Sequence, residues 1–315
     1  MGNKSQQVIE AIRQVIVGKE TVIEKIWMAI LAEGHILLED IPGVGKTTLA
    51  VTLSKVLGLD SNRIQFTPDV VASDVVGFTM YEQQTGKFSY KEGAVMCHLL
   101  LADEINRTSS RTQAALLEAM QERKVTVDSI TYELPKPFHV IATQNPLGVY
   151  GTQPLPQAQL DRFIVQLSIG YPDFDSQVQL LRQQQKNHPV EDAKEVIQRE
   201  QLLQLQQMVR DLHISDAILR YVTALTEKTR THKLFLQGVS PRGALAICQM
   251  AKAHAFVKGN DFVTPEDVLA IFLDTCHHRI LLSPQAKTEQ VTEWQALQKV
   301  MEEVPAPDVQ VLKES

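Results

Sequence analysis

A chain of 315 residues, 44% of them apolar, is long enough for about two domains with a buried core in each, which excludes an intrinsically disordered polymer. Its longest unbroken apolar run, Ile26 to Ala32, falls far short of the roughly 18 residues a membrane-spanning helix needs. The net charge of −6 is spread evenly along the chain, so no basic arm points to general nucleic-acid binding.

The opening MGNKSQQVIE lacks the apolar stretch of a secretory signal, so a cytoplasmic chain is expected. Cys97, Cys248 and Cys276 are never spaced as a pair, which argues against a disulfide framework or a thiolate zinc site. Apolar residues at helical spacing predict helices over 5–17 and 20–32, with a break at Val17-Gly18. A short apolar strand at Ile36 to Glu39 then runs through a glycine-containing turn into a helix from Lys46 to Leu57. Further strands at Ile64 to Thr67, Cys97 to Ala102, His139 to Thr143 and Phe163 to Ser168 alternate with helical patterns, notably Arg111 to Arg123. Such alternation predicts a parallel five-stranded α/β sheet with helices on both faces. Two stretches interrupt it, Val76 to Lys91 with Thr85-Gly86 at its tip, and Val125 to Leu134 around Asp128-Ser129, and both read as hairpin inserts. After Tyr171-Pro172-Asp173 only helical patterns follow, at 174–186, 195–210, 214–231, 240–258 and 265–273, with one more helix from Lys287 to Glu303.

The loop Asp40-Ile41-Pro42-Gly43-Val44-Gly45-Lys46-Thr47-Thr48 lies where a strand ends and a helix begins. Gly43 and Gly45 permit the backbone geometry that turns successive N–H groups toward phosphate oxygens, and the helix N-terminus favours the same charge. Lys46 would reach the β and γ phosphates and Thr47 a Mg²⁺ ion, with Pro42, Val44 and Thr48 completing the loop. The usual pattern begins with Gly where this chain has Asp40, which puts loop conformation and affinity in question. The apolar strand Leu99-Leu100-Leu101-Ala102 ends in Asp103-Glu104. Asp103 would hold Mg²⁺, directly or through water, and Glu104 would polarise the attacking water; isolated acid pairs also begin helices as caps.

These motifs, with ATQNP at 142–146, LPQAQLDRF at 155–163 and SPRGAL at 240–245, resemble in that order the AAA+ ATPases, specifically the MoxR family, over residues 10–282. The resemblance implies an AAA+ P-loop nucleotide-binding domain over 1–170, an all-helical lid domain over 171–282, and a carboxyl-terminal helix and tail over 283–315. It implies that Asn145 contacts the γ-phosphate or its water, that Arg162 reaches into a neighbouring subunit's site, and that Arg242 is carried by a lid helix to the γ-phosphate. Local alternatives stand beside these roles: Asn145 as part of a turn, Arg162 as a salt-bridge partner of Asp161, and Arg242 as a solvated first-turn residue. Val17 and Gly18 match the adenine-contacting segment, while Arg107 and Arg111 line a subunit interface or form salt bridges. The implied activity is Mg²⁺-dependent hydrolysis of ATP to ADP by a homo-oligomeric ring, a hexamer in such families. The implied purpose is remodelling or activation of a partner protein with a von Willebrand factor A domain. Two alternatives are a chelatase-type motor subunit for metal insertion and a nucleotide-binding switch with little turnover.

Overall fold

The computed structural model describes residues 2–40, 43–145, 155–186 and 189–307. Its centre is a five-stranded parallel sheet. Across the sheet the strands run Ser61–Gln65, Leu99–Asp103, His139–Gln144, Ile36–Glu39, Val165–Leu167, which in chain order is second, third, fourth, first, fifth. Continuous apolar strands follow from burial on both faces. Ile36, Leu38, Leu99 and Leu101 enter one apolar cluster, whereas Leu37, Leu100 and Ala102 enter another on the opposite face. The second strand lies a few residues earlier than its apolar residues indicate, because Ser61–Gln65 is a solvent-exposed edge strand that has no apolar run to betray it.

The helix Lys46–Val56 and the first two helices, Gly2–Arg13 and Glu20–Leu31, cover one face. The same buried cluster continues through Ile218, Ile247, Met250 and Phe272, so the later helices pack directly on the first two. The helix Ser110–Glu122 covers the other face through Leu116, Leu117 and Met120. Both hairpins are present, Gly77–Glu82 with Lys87–Glu92 and Lys124–Val127 with Ile130–Glu133. Asp128 and Ser129 both have positive φ, as a two-residue hairpin turn matched to strand twist requires. The hairpins touch through Tyr90 and Tyr132, whose rings stack at 4.0 Å.

After residue 171 two expectations are corrected. The later region is helical but not wholly so: Phe235–Gln237 pairs antiparallel with Leu281–Leu282, which satisfies backbone groups where two helices end. The helix expected over 287–303 is two, Pro284–Thr288 and Glu293–Glu303. Ser283 caps an earlier start ahead of Pro284, and the reciprocal Thr292–Gln295 capping box begins the second helix. Among the described residues no helix is long and apolar enough to cross a membrane.

Two histidines at the amino edge of the sheet make stability depend on pH. The His35 ring accepts from Val140 N at 3.0 Å and donates to Met120 O, while the His139 ring donates to Gly34 O and accepts from Gln206. Neither ring has a place for a second proton, and burial, reinforced by the charge of Arg123, lowers their pKa values to about 3 and about 4. Because both folded values lie below the unfolded 6.5, the unfolded chain binds more protons in between, and stability is lost as pH falls from about 6.5. The two imidazoles together should cost about 4 kcal/mol between pH 7 and pH 5. Urea unfolding at pH 7 and pH 5 checks this; equal midpoints would contradict it.

Candidate functional site

At the carboxyl end of Ile36–Glu39 the chain turns through Gly43 and Gly45 into the helix that begins at Lys46. Gly43 has φ +87° and Gly45 φ +91°, values side chains rarely adopt, and among the described residues nothing lies within 4 Å of the point where either Cβ would stand. The glycine backbone is therefore unobstructed at a helix N-terminus, a setting suited to a phosphate chain. Pro42 lies outside the described residues; Val44, Thr47 and Thr48 are half-buried around the turn. Lys46 Nζ donates to Asp40 O at 2.8 Å. Burial lowers the Lys46 pKa, against the opposing charges of Asp40, Asp103 and Glu104.

The departure at Asp40 has a structural explanation. Its carboxylate accepts hydrogen bonds from Ile169 N, from Gly170 N at 3.0 Å and from Ser168 Oγ at 3.2 Å. Asp40 thus ties the base of the loop to the end of the fifth strand, a position where glycine would offer nothing. The same exit leads to Tyr171, whose carbonyl accepts from Lys19 Nζ, and to Ser176, against which Gly18 packs. Gly18 has φ +69°, and a Cβ there would fall 2.1 Å from Ser176 Oγ. Val17 and Gly18 accordingly stand on the wall that Asp40 links to the phosphate loop.

Asp103 and Glu104 close the other side. Thr143 Oγ1 donates to Asp103 Oδ1 at 3.0 Å and accepts from Glu104 N at 2.9 Å. Arg63 donates through Nε and Nη2 to Asp103 Oδ2 at 2.9 and 2.8 Å. The strand register pairs Arg63 with Leu101, so Asp103, two residues on, lies on the same face within reach of a long side chain. Glu104 adopts the left-handed conformation, φ 56° and ψ 48°, which turns its carboxylate toward Asn145. Oε1 accepts from Asn145 Nδ2 at 3.1 Å and Oε2 from Arg107 Nη1 at 2.9 Å. Burial by itself raises the Glu104 pKa, but the hydrogen bonds from Arg107 and Asn145, with the charges of Arg107 and Lys46, outweigh it and the net shift is downward. Asn106 holds Asn145 by its backbone, donating to the carbonyl at 3.1 Å. Asn145 Oδ1 is buried and has no partner among the described residues. Lys46, Asp103, Glu104 and Asn145 thus converge: one cation, two acids and an amide oxygen in need of a donor.

Arg162 and Arg242 are not in this group. Ile164 N bonds to His35 O, at the start of the first strand, and Arg162 Nη1 donates to Leu117 O at 2.7 Å. The phosphate loop leaves the other end of that strand, roughly 10 Å away at about 3.3 Å per residue. Arg242 joins Arg162: it donates to Gln121 on the same helix, and its charge, after burial, lowers the Arg162 pKa. Asp161 is not the salt-bridge partner of Arg162; it is engaged by Arg279 Nε at 2.9 Å and Ser240 Oγ at 2.8 Å. The sequence motifs contain Thr143, Asn106 and Arg107 without revealing their contacts, and only the strand register reveals Arg63.

The model of the ATPase family associated with various cellular activities (AAA) matches residues 35–165, and that of the AAA lid domain matches residues 227–300. The uncharacterized protein YeaC of Bacillus subtilis is 45% identical over 95% of this chain and 93% of its own length. Chaperone MoxR1 of Mycobacterium tuberculosis is 36% identical over 96% of this chain and 82% of its own. A protein of Cytophaga hutchinsonii assigned as an ATPase, known from a crystal structure, superposes with a TM-score of 0.90 at 36% identity, covering 98% of this chain and 96% of that one. With the phosphate loop, the paired acids and both regions matched, the chain belongs to the MoxR family of AAA+ ATPases and is an ATP hydrolase.

Proposed function

We propose that the chain hydrolyses ATP with Mg²⁺ in a homo-oligomeric ring, a hexamer on family resemblance, and that each ATP site is shared between two subunits. The observation carrying this reading is the separation of the two charged groups, Lys46 with Glu104 at one edge of the sheet and Arg162 with Arg242 at the other. One chain cannot close both around one triphosphate. A head-to-tail arrangement brings the arginine edge of one copy to the loop edge of the next, and such contacts close into rings.

In this reading the N–H groups of the loop from Gly43 to Thr48 bind the phosphates, Lys46 reaches the β and γ oxygens, and Val17-Gly18 borders adenine. Oxygen donors from Asp103 and Thr47 suit a hard divalent cation, which when bound neutralises charge on the phosphates. Glu104 orients and polarises the attacking water, and Asn145 Oδ1, without a donor among the described residues, accepts from that same water. Arg162 and Arg242 of the neighbour stabilise charge on the transferring phosphoryl group.

The work drawn from hydrolysis is the chaperone-like remodelling of a partner protein, one with a von Willebrand factor A domain on the family resemblance. The hairpin Gly77–Glu82/Lys87–Glu92 supports a protein client, since it presents Phe88 at 74% exposure beside the exposed Tyr81 and Met80. A shared site predicts that the ATPase rate per chain rises with protein concentration until rings saturate. Turnover measured across a dilution series alongside sedimentation tests this, and a constant rate where chains demonstrably dissociate would overturn it.

A further inference from the structure

Arg279 is the most deeply buried guanidinium near the arginine edge, its side chain 1% exposed. Nε donates to Asp161 Oδ1 at 2.9 Å, Nη2 to Asp161 O at 3.2 Å and Phe163 O at 2.6 Å, and Nη1 to Ile164 O at 3.1 Å. It therefore grips the backbone on both sides of Arg162. The other Asp161 oxygen accepts from Ser240 Oγ, and Ser240 caps the helix Pro241–Lys258, whose second residue is Arg242. Gly243 lets that helix close on the hub: a Cβ there would stand 2.9 Å from Arg279 Cδ. One buried side chain thus touches the segments carrying both arginines, although neither arginine bonds to it.

We propose that Arg279 is a positioning residue for ATP hydrolysis, acting through Arg162 and Arg242; this rests on the reading that those two act on the neighbour's nucleotide. Two like charges repel, so their common orientation needs an external frame, and Arg279 with Asp161 forms one of no net charge. Arg279 also occupies Asp161. The carboxylate adjacent in sequence to Arg162 would otherwise be free to pair with it and cancel the charge meant for a phosphate. A displacement of about 1 Å at such a group is enough to cost roughly 10²-fold in rate.

The test uses full-length chains and mixing. Arg279→Gln should lower kcat about 10²-fold while leaving ATP affinity unchanged, because its phosphate loop is untouched. Mixed with Lys46→Ala chains, which lack a working loop but carry intact arginines, it should regain turnover at junctions pairing its own loop with the other chain's arginines. Arg162→Ala mixed with Lys46→Ala is the control. If the control mixture regains turnover and the Arg279→Gln mixture does not, Arg279 does not act through the arginine edge and the inference is overturned. If the control itself gains nothing, the shared-site reading fails and takes the inference with it. Should Arg279→Gln not fold, Asp161→Asn carries the same test, with loss of kcat and rescue on mixing expected and absence of rescue beside a working control decisive against it.

Discussion

Glu104→Gln is expected to retain ATP and to slow turnover by at least about 10²-fold, the usual contribution of a positioned general base. The substitution keeps side-chain length and an oxygen for the hydrogen bond from Asn145 Nδ2, so the loop, Lys46 and Asp103 stay as they are. What is lost is negative charge. Arg107, Asn145 and Lys46 hold the Glu104 carboxyl below its ordinary pKa against its burial, so at neutral pH it is ionised and able to polarise water. An amide cannot. Titration with a fluorescent ATP analogue beside steady-state hydrolysis separates the two properties. Lys46→Ala provides the contrast: under the proposed role of Lys46 at the β and γ phosphates, its loss should weaken binding itself. Normal turnover by Glu104→Gln would move the role of water polarisation to another group.

The second large effect belongs to Arg162→Ala, for which a loss of about 10³-fold or more in kcat is expected, the range of guanidinium groups donated in trans. In its own chain Arg162 donates to Leu117 O, and the carboxylate next to it in sequence is engaged elsewhere. Truncation therefore breaks no ion pair with Asp161, and the melting temperature should change little. ATP affinity should be preserved, because Lys46 and the glycines belong to the other edge. Single-turnover hydrolysis at saturating protein, compared with nucleotide binding, reads both quantities. A fall of less than tenfold would reduce Arg162 to a packing residue.

Much of this architecture was legible because its signals are local. Four of the five sheet strands are apolar runs, since burial on both faces demands them, and the glycines at 43 and 45 mark a strand-to-helix turn of positive φ. Asp103 and Glu104 announce themselves by ending such a run. The edge strand Ser61–Gln65 leaves no such signal, because solvent, rather than a core, faces its side chains. The division between Pro284–Thr288 and Glu293–Glu303 is hidden in the same way, because apolar spacing does not register a capping box that restarts a helix.

By itself the sequence determined the order of elements, the phosphate loop, the acid pair and the family, all of which depend on spacing along the chain and on short-range backbone geometry. Only the tertiary structure decided where the charges go. Asp40 anchors to the fifth strand 129 residues away, Arg63 reaches Asp103 across a strand register, and Asp161 is claimed by Arg279 from 118 residues further on. That same packing sets Arg242 beside Arg162 and apart from Lys46. Hydrogen bonds and charge pairs are selected by proximity in three dimensions, and residue spacing carries no record of proximity once the chain has folded back on itself.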